Sequence, residues 1–535
     1  MDGTLFFGDN LDVLRNHIAD RSVDLIYLDP PFNSDASYNV LFRAPDGTGS
    51  QSQITAFEDS WHWCEASELA FDQVMRSGRT EAANMLRAMR RLLHDNDMMA
   101  YVAMMAVRLL EMHRALSETG SIYLHCDPTA SHYLKLIMDA IFSPRHYVNE
   151  IIWKRYGAHN DAGQGSRHFG RVHDTILFYS KSDQRTWTQS FKPLDDAYAT
   201  QTYRLVDETT GERFTTTPLT GPGGARNGNP VFEWNGHVRA WRYNRQRMQA
   251  LHDAGRLHYS RTGYPRQKLY LSESRGVPVQ SVWTDIVSLS GAHRERLNFA
   301  TQKPLSLLER IVAASSRPGD LVLDPFCGCG TTVHAAQKLE RRWIGIDITP
   351  LAVDLIGRRL SAAFPGIRLD VRGIPRDLDG ARALSRRDKH LFQLWAVTLV
   401  DAQPYRDGRK GADGGIDGLI YFKPDGKVTR AAIVSVKGGT HVGVGQIRDL
   451  RGTVERLSEP MGIFVTLAPP TAQMEREAAA AGLYDTGHQS VPRIQILTIE
   501  QLLAGAKPRI PLGHAISFKR AAREAETGRQ ADLGF

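Results

Sequence analysis

Cysteine is scarce: four in 535 residues, at Cys64, Cys126, Cys327 and Cys329. That excludes a disulfide framework. Only Cys327 and Cys329 lie close together, and no second pair stands at the spacing of a zinc site. Long apolar runs are also missing. The most apolar stretch, 98–110, is interrupted by Arg108 and is too short to span a bilayer. The first ten residues lack a basic region followed by an apolar core, so no signal peptide is expected. Together these absences predict a soluble, cytoplasmic protein with no membrane partner. Charge of one sign is not extreme. The formal net charge of +7 is a mild basic excess, consistent with a polyanionic partner but insufficient to establish one. No fixed-period repeat is visible.

What is present suits several packed domains: 42% hydrophobic and 23% charged residues in a chain too long for one ordinary core. Apolar runs alternate with helical periodicity through residues 1–181. Val23–Leu28 reads as a buried strand, Thr80–Leu93 and 98–116 as helices, the run from Ser121 as a strand, Ser131–Phe142 as a helix and 173–181 as a further strand. Residues 182–295 change character. They are rich in Arg, Trp, Tyr and His, lack long periodic helices, and read as an insertion with its own task. Residues 296–375 return to α/β alternation, with a strand over 321–326. After a Pro/Gly-rich boundary, 388–510 form another α/β pattern. The fold class expected is α/β: a Rossmann-like sheet carrying an insertion, followed by a separate C-terminal α/β domain.

Two motifs stand where strands end. In LVLDPFCGCGTT, Gly328 and Gly330 allow a sharp turn and close approach to a ligand, and the helix opening at Thr331 adds amide donors. Asp347 ends the next strand, about twenty residues on, where an acid can hold ribose hydroxyls. A tight strand-to-helix turn would use the same glycines without a ligand, but the spacing to Asp347 favours nucleotide binding. It does not choose among cofactors.

The second motif, Asp29-Pro30-Pro31-Phe32, follows Val23–Leu28. An exocyclic amine on a nucleobase is a poor nucleophile because its lone pair is delocalised into the ring. A carboxylate and a carbonyl, each accepting one amino proton, localise that pair. Asp29 offers the carboxylate and Pro30 the carbonyl. The prolines stiffen the loop, and Phe32 can stack on an extruded base. A rigid loop with no chemistry is the competing reading of these four residues taken alone. Two such motifs on strand ends of one α/β unit predict a shared cleft.

On these residues the segment 3–362 resembles the β class of S-adenosylmethionine-dependent DNA amino-methyltransferases. In that order the catalytic tetrapeptide comes first, the target-recognition region second and the cofactor loop last. It is most similar to adenine-specific enzymes such as the modification subunits of type III restriction systems. The resemblance implies that Asp29, Pro30, Pro31 and Phe32 are catalytic. It assigns Asp324, Phe326, Gly328, Gly330 and Thr331 to the cofactor loop and Asp347 to the ribose. Thr301-Gln302-Lys303-Pro304 would lie against the methionine end, and Gly8-Asp9 near the adenine of the cofactor. An Asp as the first catalytic residue is the family's usual choice for adenine N6, and a Ser for cytosine N4, which stays the alternative. Cytosine-C5 chemistry needs a Pro-Cys nucleophile, and no cysteine here follows a proline. The expected partner is double-stranded DNA, read by insertion residues such as Arg226, Trp234, Trp241, Arg242, Arg245, Arg261 and Arg266, although a solvated basic face around a small aromatic core explains them equally well. The resemblance also implies a homodimer and allows a separate restriction subunit.

The C-terminal pattern GADGGIDG…AAIVSVKGG is similar to the Mrr-like branch of the PD-(D/E)xK restriction endonucleases. There Asp417 matches the metal-binding acid, Lys437 the water-orienting lysine, and Gln446 a residue of the following helix. Ser435 departs from the pattern, since a second acid or a glutamine usually stands there and Mg²⁺ prefers carboxylate oxygens. A nuclease fused to its methyltransferase and a DNA-binding module that keeps the fold are both open. So is a bland turn-capping Asp417 with a surface Lys437.

Overall fold

Val23–Leu28 is the central, fifth strand of a nine-stranded sheet, and its position follows from its composition. Buried on both faces, it carries a continuous apolar run over 25–28, after the partly exposed Asp24, rather than an alternating one. Across the sheet the strands run Val282–Trp283, Tyr147–Lys154, His173–Ser180, Leu116–Cys126, Val23–Leu28, Leu321–Asp324, Arg342–Asp347, Gly3–Phe7 and Leu369–Arg372. All neighbours pair in parallel except His173–Ser180, which is antiparallel to the strands on both its sides. The computed structural model describes residues 3–31, 39–43, 49–55, 63–157, 167–221, 223–289, 293, 295–297, 301–405, 415–424, 428–486 and 489–511. Phe32 lies outside these residues.

This sheet is built from strands on both sides of the insertion, with Gly3–Phe7 lying between Arg342–Asp347 and Leu369–Arg372. Leu25 pairs with Val322 and Ile26 with Leu323, so segments far apart in sequence are hydrogen-bonded neighbours. The strand expected over 321–326 stops at Asp324. Pro325 has no N–H to give to a ladder, and the Phe326 N–H turns back to Asp324 Oδ1 at 3.0 Å. Helix Asp97–Ala115 is buried around most of its circumference beneath the sheet. Asn96 caps it by accepting from the Met99 N–H at 2.9 Å. Among the described residues no helix is long and apolar enough to cross a membrane.

Residues Gln189–Gln280 form a second compact unit. It holds a four-stranded antiparallel sheet, a short hairpin of Val231–Trp234 with His237–Ala240, and helix Arg245–Asp253. Its core is Leu219, Trp234, Trp241, Met248, Leu251 and Leu257. Trp241 is fully buried and its indole N–H donates to the Phe232 carbonyl at 2.8 Å, while Trp234 donates to the Tyr259 hydroxyl at 3.2 Å. These two tryptophans are therefore core, the second of the two readings open for them in the sequence: a small unit needs large side chains inside it. Arg266 is also turned inward, to Thr216 Oγ1 at 2.8 Å, and Arg245 reaches the Glu233 carbonyl at 3.0 Å. Arg226, Arg242 and Arg261 are exposed.

The C-terminal part belongs to the same compact unit as the large sheet. Its five-stranded sheet runs Gln403–Pro404, Gly418–Phe422, Arg430–Lys437, Met461–Thr466 and Ile494–Thr498. The first two pairings are antiparallel and the last two parallel. Helix Lys389–Leu399 packs on helix Pro350–Ala363, and Arg358 bonds both Asp354, at 2.8 Å, and Asp401.

Candidate active site

Consecutive parallel strands present their carboxyl ends along one sheet edge, where open α/β sheets bind ligands. Val23–Leu28 delivers Asp29, Leu321–Asp324 delivers the glycine loop, Arg342–Asp347 delivers Asp347, and Gly3–Phe7 delivers Asp9. One cavity of about 130 Å³ takes in Asp9, Asp29, Pro31, Lys303, Asp324, Phe326, Gly328, Thr331 and Asp347. The two sequence motifs therefore do share a cleft. Pro30 is buried, and neither Pro30 nor Gly330 borders the cavity.

The loop geometry explains its glycines. Gly328 and Gly330 have φ of 52° and 78°, and a Cβ at Gly330 would meet Ile356 Cγ1 at 2.8 Å. The Gly328 N–H donates to Asp347 Oδ2 at 2.9 Å, while the Thr349 N–H and hydroxyl hold Oδ1, each at 2.8 Å. Burial raises the Asp347 carboxyl to about 6 against these donors, which lower it. Asp324 is deeper still. Burial pushes it up to about 7, opposed by donors from Thr332 and the Phe326 N–H, and the charges of Asp29 and Asp347 add to the rise. A cavity with carboxyls held above their ordinary range favours a ligand that brings hydroxyl donors or positive charge.

Asp29 is asymmetric. Lys303 Nζ donates to its Oδ2, and its Oδ1 is buried with no hydrogen-bond partner. Lys303 is delivered by a loop that Gln302 pins. The Leu297 N–H donates to Gln302 Oε1 at 2.7 Å, and Gln302 Nε2 donates to the Glu295 carbonyl at 2.8 Å.

Sequence reasoning misses Arg108, Asn10 and Tyr27, which also line the cavity. Arg108 donates to Asp9 at 2.8 and 3.1 Å and to Asn10 Oδ1 at 2.6 Å, and Asn10 Nδ2 reaches the Pro325 carbonyl at 2.8 Å. The charge that breaks the apolar run of its helix is thus the tie between the Asp9 turn and the glycine loop. An arginine set within the apolar run of a buried helix is the signal that points to it, because such a charge needs a partner.

The C-terminal residues do not suit Mg²⁺. Asp417 Oδ2 accepts the Val436 N–H at 2.6 Å, Gln446 Oε1 accepts the Gly443 N–H at the start of its own helix at 3.2 Å, and Ser435 is buried. Lys437 ends its strand, half-buried. Among the described residues no group of three or more His, Cys, Asp or Glu is placed to hold a metal ion.

Residues 23–358 match the family model described as DNA methylase, of the N6 and N4 type, and residues 395–504 match that of a NACHT-associated inactive restriction endonuclease. The chain is 29% identical over 369 residues to the type II methyltransferase M.EcaI of Enterobacter cloacae, covering 68% of this chain and 70% of that one. It is 30% identical over 350 residues to the Mod subunit of the type III restriction-modification enzyme StyLTI of Salmonella typhimurium, covering 62% and 49%. Among solved structures, the cytosine-N4-specific PvuII DNA methyltransferase aligns over 69% of this chain and 96% of its own, at 13% identity and a TM-score of 0.32.

Proposed function

Because this chain belongs to the family of DNA methylases that act at exocyclic N6 or N4, we propose that it transfers a methyl group from S-adenosylmethionine to adenine N6 in duplex DNA. The observation that carries this reading is Asp29: one oxygen held by Lys303, the other a buried acceptor with no partner, at a cleft that also contains the glycine loop and Asp347. A carboxylate kept in that state accepts one amino proton and localises the nitrogen lone pair. As the N–C bond forms and the C–S bond breaks, its charge stabilises the positive charge developing on nitrogen. The methylated nitrogen then gives one proton to solvent water, which restores the neutral amine. Asp in this first catalytic position, rather than Ser, favours adenine.

The residues present fit the cofactor. Asp347 would hold its ribose hydroxyls, the Gly328–Gly330 loop would face its methionine part, and Asp9 would lie near its adenine. When bound, it supplies an electrophilic methyl on a sulfonium. Asp324, Lys303 and the walls around them exclude water and fix the direction of approach. The exposed arginines of the 189–280 unit, Arg226, Arg242 and Arg261, are the residues we assign to the DNA phosphates or base edges.

Labelled methyl transfer to duplex DNA, followed by identification of the modified base, tests this. N6-methyladenine is the expected product, and transfer falls by at least about a hundredfold in Asp29→Ala. Recovery of N4-methylcytosine overturns the choice of base. Wild-type rates in Asp29→Ala overturn the site.

A further inference from the structure

Behind the Asp29 corner three buried side chains form a hydrogen-bonded row that methyl transfer, as derived above, does not use. Tyr27 is 2% exposed, and His125 and Asp174 are fully buried. They come from three adjacent strands, Val23–Leu28, Leu116–Cys126 and His173–Ser180. The Tyr27 hydroxyl is 2.8 Å from His125 Nδ1, and His125 Nε2 is 3.0 Å from Asp174 Oδ2. Trp153 stands edge-on to the imidazole with ring centroids 5.8 Å apart, its indole N–H given to the Ile286 carbonyl at 2.9 Å. At the far end Arg155 Nε lies 3.2 Å from Asp174 Oδ1, an ion-pair contact rather than an aligned hydrogen bond.

The proton positions follow from the partners. Burial pushes the Asp174 carboxyl up, but the His125 hydrogen bond, with the charges of Lys303 and Arg155 beside it, opposes this and the group is held below its ordinary range. Asp174 is therefore an acceptor, and His125 carries its proton on Nε2. Burial, with the charges of Asp29, Asp324 and Asp174, pushes the Tyr27 hydroxyl well above its ordinary range, so it stays protonated. An imidazole protonated at Nε2 accepts at Nδ1, and Tyr27 has one proton to give. Tyr27 lines the same cavity as Asp29, whose Oδ1 is the acceptor left open.

We infer that Asp174 and His125 are positioning residues that commit the Tyr27 hydroxyl proton to His125 Nδ1, and so keep Asp29 Oδ1 open for the amino group of the substrate. The inference rests on the reading of Asp29 as the amino-proton acceptor. With the imidazole proton moved to Nδ1, the Tyr27 O–H is released toward the carboxylates of the cavity and competes with the amine for Asp29.

Asp174→Asn separates this role from simple packing. Arg155 draws the new amide oxygen to the place of Oδ1, which turns the amide N–H₂ toward His125 and moves the imidazole proton to Nδ1. The expected result is a fall in kcat on the order of a hundredfold, with KM for S-adenosylmethionine changed by less than about threefold. In a Tyr27→Phe background the same substitution costs less than about threefold, because no hydroxyl remains to be released. Equal losses in the two backgrounds overturn the inference. Ring-¹⁵N spectra of the wild-type protein with labelled histidine read the tautomer without any variant: a proton on Nε2 of His125 supports the inference, and a proton on Nδ1 overturns it. Equal losses with Asp29→Ala inactive overturn this role alone, whereas wild-type activity in Asp29→Ala overturns the site reading beneath it.

Discussion

Lys303 and Asp29, 274 residues apart in the chain, form an ion pair that occupies one carboxylate oxygen and leaves the other without a hydrogen bond. The lysine side chain is 12% exposed and the aspartate 16%, so the pair is largely shielded from water and neither charge is cheap to strand.

Lys303→Ala leaves Asp29 as a shielded, uncompensated charge. The variant is expected to lose about 2–3 kcal/mol of stability, below the range for fully buried pairs because some solvent reaches this one. Adding Asp29→Asn recovers most of that loss. Thermal melting of the two single variants and the double variant checks this, and additive losses would show that the pair is not coupled.

Gly330→Ala places a Cβ against Ile356 in a residue with φ of 78°. The strain and the collision act together, and a loss of about 1–3 kcal/mol is expected, with weaker cofactor binding. Chemical denaturation with and without S-adenosylmethionine measures both effects.

Asp347 gives a pH signature to cofactor binding. Its carboxyl is raised to about 6, so a share of it is protonated in the free protein at mildly acidic pH. Ribose hydroxyls donate to the ionised form, so binding lowers this value and releases a proton below about pH 6. Affinity should rise up to about tenfold per pH unit as pH climbs toward 6, then level off. In the free protein the sign is opposite. An acid whose folded value is raised loses stability as pH rises from its unfolded value near 4 toward 6. Calorimetry at pH 5.5 in buffers of different ionisation enthalpy counts the proton, and the dependence should vanish in Asp347→Asn.

In the C-terminal segment Asp417 acts on the fold. Asp417→Ala removes the acceptor of the Val436 N–H and is expected to cost about 1–2 kcal/mol while methyl transfer stays at wild-type level. Unmethylated duplex incubated with the intact protein and Mg²⁺ should remain uncut on a gel. Cutting that Asp417→Ala abolishes would reverse this reading.

Much of the site is legible in sequence because its chemistry is local. Asp29 and the glycine loop each follow a short apolar run, Leu25–Leu28 and Leu321–Leu323, and a strand-end acid or glycine turn can be seen one segment at a time. The partners are not legible. Nothing near Lys303 in sequence announces Asp29, and Tyr27, His125 and Asp174 meet only because their three strands lie side by side. Helix Glu65–Arg76 is hard to see for a different reason. Its inward face is Ser67, Ala70, Phe71 and Val74, and only two of these are large apolar residues. In the 189–280 unit composition does not decide: Trp234 and Trp241 fit a binding face and a small aromatic core equally well in sequence, and they are packed inside it.

The pairing of Leu25 with Val322 bears on how the chain is made. After Val23–Leu28 leaves the ribosome, about 300 further residues must be synthesised before its hydrogen-bonding neighbour on that side exists. Until then one border of a strongly apolar strand stays open, ready to recruit any extended segment that passes. Joining such distant partners is slow, so chaperone protection would matter most during this interval. Premature termination anywhere before 321 would yield sticky, inert fragments rather than partially active enzyme.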